Sequence, residues 1–211
     1  MISYLTLKSA ATDETVINKS RFIVNAIPVT VETEAIEFIH SIREKYRDAS
    51  HHCYAYIIGK NAGIQRYSDD GEPSGTAGLP MIECLKAKSL VDCCFVVTRY
   101  FGGILLGTGG LVRAYTESVI NGIAAAGIVC MEETDRYLCE VPYSLWDKVN
   151  HAFRSVNCKV TDTEYAVSVC FTLELRSTES EYVLDKLTCL TNGMFTFIKE
   201  GVSYTPWTVN G

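Results

Sequence analysis

Residues 90–97, Leu-Val-Asp-Cys-Cys-Phe-Val-Val, run with one polar break into the stretch TRYFGGILLGTGGLVRAY at residues 98–115. An apolar run of that length reads as a strand buried on both faces. The stretch behind it holds the pairs Gly102-Gly103 and Gly109-Gly110, with Gly107 between them and Arg99 and Arg113 on the flanks. Two explanations compete for these glycines. A phosphate-binding loop uses glycine so that backbone N–H groups can approach an anion. A strand-to-helix connection uses it for positive φ and close backbone contact. The P-loop pattern fails, because Gly102 and Gly107 have the spacing but Thr108 stands where lysine is required. The dinucleotide fingerprint fails too, since Gly107 and Gly109 begin it and Val112 stands at the third glycine. What remains is a helix start near Thr108 or Gly109, whose free N–H groups attract anions, with Arg99 and Arg113 adding charge.

Around this stretch the chain divides in two. Strands are expected over Glu14–Ile17 and Arg21–Pro28, then a helix from Glu32 to Tyr46. Acids at Glu32 and Glu34 and bases at Arg43, Lys45 and Arg47 match the helix dipole. Strands at His52–Ile58 and Ile64–Tyr67 follow, then a polar loop Ser68–Gly78. A helix near Leu79–Lys88, the buried strand, and a helix from Gly110 to Ala125 complete this part, with Gly127 as a stop. Met131-Glu132-Glu133-Thr134 reads as a short charged link, which places domains at 1–133 and 134–211. The second part has the order β-α-β-β-α-β, the ferredoxin-like arrangement. Leu145, Val149, Ala152 and Val156 mark its first helix, capped by Ser144. Val183, Leu184, Leu187 and Leu190 mark its second, capped by Ser177 or Thr178. The fold class expected is α+β in two domains.

Three carboxylates crowd the loop Ser68-Asp69-Asp70-Gly71-Glu72-Pro73-Ser74-Gly75-Thr76-Ala77-Gly78, but their spacing does not fit an EF-hand. Asp-Gly and Pro-Ser-Gly are turn formers, and Ser74 or Thr76 is placed to cap the next helix. His51-His52 precede Cys53 on a strand, where neighbouring side chains point to opposite faces, so one histidine at most joins any one site. The nine cysteines form no C-x-x-C pair and no zinc-ligand pattern, and they read as reduced, mostly buried thiols. Cys53, beside two histidines, is the candidate exception. No metal and no cofactor is expected. The net charge is −6; residues 1–133 carry 12 basic against 15 acidic side chains, and the remainder 7 against 10, so each part is −3. That balance argues against non-specific duplex binding, which needs phosphate neutralisation, and DNA is not an expected partner. No run approaches the roughly 20 apolar residues of a membrane helix, and the N-terminus lacks a secretory pattern. A cytoplasmic protein with no membrane partner is expected.

The segments His52-x-Tyr54-Ala55-Tyr56, Ser68 to Gly78 and Arg99 to Tyr115, with the early Lys19-Ser20-Arg21-Phe22, resemble the IMPACT family in its bacterial form. The resemblance is strong over the first 130 or so residues. It implies an N-terminal domain folded like the second domain of a small-subunit ribosomal protein and a ferredoxin-like C-terminal domain. It also implies a part in translational control, with the ribosome, RNA or translation-control proteins as partners. No catalytic activity is implied for the family as a whole. Some members carry lysine where this chain has Leu105, so one candidate phosphate contact is missing.

Three functions follow. The first is a non-enzymatic module that binds RNA or the ribosome. Its candidate contacts are Arg66, Lys86, Lys88, Arg99, Tyr100, Gly102, Gly103, Thr108, Gly109, Gly110 and Arg113. Tyr54, Tyr67, Tyr100 and Phe101 are the stacking groups. The second is a hydrolase with His52, Asp70, Glu72 and Arg99 in one pocket, acting on a small phosphorylated or peptide substrate. The third is a protein-interaction adaptor that uses the C-terminal sheet.

Overall fold

The computed structural model describes residues 3–208. Two compact units part between Met131 and Glu132. Both mix helix and sheet, so the class is the expected α+β in two domains.

The first unit is built on a five-stranded antiparallel sheet. Its strands are Ala11–Ile17 (β2), Ser20–Pro28 (β3), His51–Ile58 (β4), Ile64–Ser68 (β5) and Cys93–Tyr100 (β6), ordered β2-β3-β6-β4-β5. The apolar strand β6 is therefore central. Alternation sends its side chains to two separate cores. Cys93, Phe95 and Val97 join Phe22, Val24, Cys53 and Ile57 beneath the helices Gly78–Ala87 (α2) and Gly107–Ala126 (α3). Cys94 and Val96 join Tyr56 and Ile58 beneath the helix Glu32–Lys45 (α1), which contributes Ala35, Ile39 and Ile42. Helices on both faces explain why this strand lacks polar alternation. At the start of α1, the Glu34 carboxylate accepts from the backbone N–H of Thr30 (2.7 Å) and Val31 (3.4 Å), so the acid in the first turn serves as a cap.

The buried strand starts three residues later than its composition implies. Leu90, Val91 and Asp92 lie outside it, and Asp92 takes φ +53°, a turn conformation. Arg99 and Tyr100, expected in a loop, stand on the strand, where they pair with Phe22 and Arg21 of β3. The short strand Tyr4–Leu7 (β1), absent from the sequence reading, pairs with the start of Ile128–Val141 (β7). β7 also absorbs the expected link Met131–Thr134. Thr134 is fully buried and pairs with Arg176, and the Arg176 guanidinium lies 3.0 Å from Glu132, so the charges there are held within a sheet.

In the second unit, β7 is followed by the helix Tyr143–Phe153 (α4), strands Cys158–Tyr165 (β8) and Val169–Arg176 (β9), helix Ser180–Leu190 (α5) and strand Thr196–Thr208 (β10). The strand order is β10-β7-β9-β8, with β7–β9 and β8–β9 antiparallel, which is the ferredoxin-like topology. The expected caps differ. Pro142, not Ser144, precedes α4, and Glu179 precedes α5. Ser177 serves instead with Ser180 to bind Asp135. Asp135 is 4% exposed and accepts from Ser177 (2.7 Å), Ser180 (2.8 Å), Tyr137 (3.1 Å) and Lys199 (2.9 Å).

The glycine stretch is largely a steric requirement. A Cβ on Gly102 would lie 2.1 Å from the backbone of Lys19, and Gly103 and Gly107 take φ +80° and +69°. Gly109, by contrast, has open space where its Cβ would be. Gly102→Ala is therefore expected to cost about 1–3 kcal/mol in urea unfolding, while Gly109→Ala is neutral or slightly stabilising. Asp135 provides a second test. Burial alone would raise its carboxyl, but the four hydrogen bonds outweigh it and hold the group at about 2 against an ordinary 3.8. Its stabilisation is complete above the unfolded value and is lost as pH falls through about 2. Asp135→Asn should remove about 2 kcal/mol near neutral pH and flatten the stability curve between pH 4 and 2.

Candidate functional site

The polar loop and the glycine stretch meet at the ends of β4 and β6. Arg99 stands opposite His51 across the β4–β6 pair, and opposite Phe22 across the β3–β6 pair. All three face the α2–α3 side of the sheet. Arg99 is 5% exposed and donates to Glu72 Oε1 at 2.7 Å and to Ser20 Oγ at 3.4 Å. Tyr115 on α3 donates to the same Glu72 oxygen at 2.8 Å, and the Cys53 thiol lies 3.3 Å from the Tyr115 hydroxyl. Burial, with Cys53 and Glu72 nearby, pushes the Tyr115 hydroxyl far above its usual range. Burial also raises the Cys53 thiol, and the charges of Glu72, Asp70 and Asp69 add to the rise. Cys53 is thus a protonated donor to Asp69 O (3.0 Å), not a reactive thiolate.

The acidic loop is held by its own carboxylates. Asp69 accepts from the N–H groups of Gly75 (2.8 Å), Ala77 (3.0 Å) and Gly78 (2.8 Å) and so covers the start of α2 from a distance. Ser74 and Thr76, the expected caps, make no cap hydrogen bond there; the Thr76 hydroxyl donates to Pro73 O. Asp70, at φ +42°, accepts from Arg43 of α1 (2.8 Å) and from the backbone of His52 (2.6 Å). Each carboxylate in the loop therefore has a structural partner.

The two histidines separate as the strand geometry requires. His52 turns to the α1 side, where its Nε2 donates to Tyr46 O at 3.0 Å. His51 turns to the α3 side, where its Nδ1 meets Asp70 O at 2.8 Å and its Nε2 lies 4.0 Å from Glu72 Oε2. The expected constellation of His52, Asp70, Glu72 and Arg99 is accordingly split between two faces of one sheet. His51, not His52, shares the space with Glu72 and Arg99.

That space is a cleft of about 430 Å³. It is lined by His51, Gly71, Glu72, Pro73, Arg99 and Phe101, and by Leu105, Leu106, Gly107, Thr108 and Leu111. Phe101 is 49% exposed and its ring lies 5.5 Å from the Arg99 guanidinium. α3 starts three residues earlier than expected, behind Leu106, and no side chain caps it. Gly109, Gly110 and the exposed Arg113 lie in its first two turns.

The other candidates lie elsewhere or are already paired. Arg66 on β5 lies 3.6 Å from Glu32, Lys86 lies 2.9 Å from Glu83, and Tyr100 donates to Asp48 at 2.8 Å on the α1 side. Lys86 and Lys88 sit at the end of α2 away from the loop. Tyr54 stacks on Tyr56 at 6.1 Å over α1, while Tyr67 is exposed on β5. Sequence reasoning missed His51, Tyr115 and Asp69. The alternation of β4 put the two histidines on opposite faces without showing which face was which. Tyr115 was within reach of a helical-periodicity argument running from Leu111 to Val119.

The Impact N-terminal domain model matches residues 18–123, and a domain of unknown function, DUF1949, matches residues 139–194. The chain belongs to the IMPACT family. It is 43% identical over 209 residues to the IMPACT family member YvyE of Bacillus subtilis, covering 99% of this chain and 96% of that protein. It is 34% identical over 161 residues to the family member YigZ of Escherichia coli, covering 75% and 79%. A crystal structure described as that of a hypothetical protein matches with a TM-score of 0.61 and 31% identity, over 95% of this chain and all of that one. The site's motifs lie within the Impact N-terminal match. No helix of the described residues is long and apolar enough to cross a membrane.

The buried pair is open to a double-mutant cycle in urea unfolding. Arg99→Met strands the Glu72 carboxylate and Glu72→Gln strands the guanidinium, so each should cost about 3–5 kcal/mol. The double variant should cost much less than the sum of the two. Additive losses would show that the pair is not coupled.

Proposed function

We propose that this chain is a translation-associated regulatory protein that acts by binding single-stranded RNA at the cleft of its N-terminal unit. The link to translation rests on membership of the IMPACT family. The choice of single strands rests on one observation: an exposed aromatic ring, Phe101, stands beside a cleft whose own ionisable groups are internally paired. A stacking platform with modest positive charge suits unpaired bases. A duplex needs a broad cationic track, and Arg66, Lys86 and Arg99 each already face a carboxylate. The uncapped start of α3 and Arg113 supply the backbone contacts in this reading. The same internal pairing weighs against a hydrolase, since His52 and the Glu72–Arg99 pair occupy opposite faces.

The test is fluorescence anisotropy with labelled ribosomal RNA fragments, single-stranded and duplex, at low and physiological salt. Single strands should bind at low salt and weaken as salt rises, and duplexes should bind less tightly. Phe101→Ala should weaken single-strand binding about tenfold, as the loss of one stacked base predicts. No binding of any fragment at either salt would overturn the reading.

A further inference from the structure

The cleft presents two hydrogen-bond acceptors side by side. The Asp70 carbonyl can only accept, so the His51 Nδ1 that meets it at 2.8 Å carries the hydrogen. In the neutral ring Nε2 is then an acceptor, and His51 lines the cleft. Gly71 leaves little room beside the ring, since a Cβ there would lie 3.4 Å from His51 Nδ1. Glu72 supplies the second acceptor. Its Oε1 already takes Arg99 at 2.7 Å and Tyr115 at 2.8 Å. Its Oε2 takes no hydrogen bond among the described residues and lies 4.0 Å from His51 Nε2, beyond hydrogen-bonding range. The Glu72 side chain is only 3% exposed. Oε2 is not among the fully buried unpartnered atoms of the described residues, so it keeps access to solvent, and a ligand donor would take the place of water there.

Two neighbouring acceptors select an edge with two neighbouring N–H donors. Among the RNA bases guanine has that edge, with N1–H beside the N2 amino group. Adenine and cytosine place a ring acceptor next to the amino group, and that lone pair would face Glu72 or His51. Uracil offers one N–H between two carbonyls. The rest of the lining suits a flat heterocycle, since it includes Phe101, Pro73, Leu106 and Leu111. The volume, about 430 Å³, falls in the range of small-ligand sites.

We propose that the cleft is a guanine-recognition pocket, with Glu72 Oε2 and His51 Nε2 accepting from the N2 amino group and N1–H of one unpaired guanine. The proposal rests on the single-stranded RNA reading and adds base specificity to it. Arg99 orients Glu72 without touching the base, so it is a positioning residue. The Asp70 carbonyl does the same for the His51 ring.

The test uses the full chain and three labelled pentanucleotides, uridine throughout except for a central guanosine, inosine or uridine. Inosine keeps N1–H and lacks the N2 amino group. The guanosine pentamer should bind at least tenfold tighter than the uridine one, because a site built to hydrogen-bond a donor rejects the analogue that lacks it. Inosine should lose most of that gain. His51→Ala, which leaves the Arg99–Glu72–Tyr115 contacts in place, should lower guanosine binding to the uridine level. The variant should no longer discriminate between the guanosine and uridine pentamers, with an unchanged circular dichroism spectrum. Equal binding of all three pentamers, or a guanosine preference that survives His51→Ala, would overturn the pocket and leave RNA binding standing. If no pentamer binds while ribosomal RNA fragments do, the pocket also falls. If neither pentamers nor fragments bind, the RNA reading falls with it. The comparison of pentamers on the unmodified protein needs no variant, so a folding defect in His51→Ala does not weaken it.

Discussion

The first unit is organised around a charge pair that water hardly reaches. Arg99 and Glu72 come from distant parts of the chain, one at the end of the central strand and the other in the polar loop, and they meet at 2.7 Å with side chains 6% and 3% exposed. Desolvating two charges is expensive, and their attraction offsets that only when further hydrogen bonds complete the geometry. Here Tyr115 and Ser20 supply such bonds, although Arg99 Nε is buried without a partner among the described residues. The pair therefore draws four segments to one point: β3 through Ser20, β6 through Arg99, the loop through Glu72 and α3 through Tyr115. An apolar pair could match its stability. It could not leave a second carboxylate oxygen facing a cleft.

The loop around Glu72 must be rigid for that oxygen to have a fixed position. Asp69 ties it to the start of α2 through three backbone N–H groups, and Asp70 ties it to α1 through Arg43 and to β4 through His52. Gly78 permits the close crossing, since a Cβ there would lie 2.8 Å from the backbone of Ser68. Three acids in four residues therefore serve three purposes: helix cover, strap and buried ion pair.

Much of this fold was legible in the sequence because its signals were local. Acids and bases at the ends of α1, the unbroken apolar run of β6 and the βαββαβ order of the second unit each follow from a short window. The motif order was legible too, and it carried the family. What was not legible depends on contacts remote in sequence. The β6 boundary moved because Asp92 turns the chain before the strand begins, and Arg99 is a strand residue facing inward. The charged segment at 131–134 read as a link because its partner Arg176 lies more than 40 residues away. The choice of His52 over His51 shows the same limit. Alternation says that the two diverge, but only the packing of α1 against one face and α3 against the other says which one meets Glu72.

The acidic total charge and an RNA-binding role are compatible once the charge is placed. Counting basic side chains overestimates the field around the cleft, because Arg66 and Lys86 do not line it and Arg99 is paired with Glu72. What faces a ligand is instead a set of oriented dipoles: the N–H groups at the start of α3, the His51 ring fixed by a carbonyl, and a Glu72 oxygen whose charge is shared with Arg99. Fixed dipoles distinguish one hydrogen-bonding edge from another, which a diffuse positive surface does not. A chain with little long-range attraction for phosphate gains little from non-specific contact. Under the proposed reading its affinity comes from the few groups that would read a base, and the internal pairing of Arg99 keeps Glu72 aligned among them.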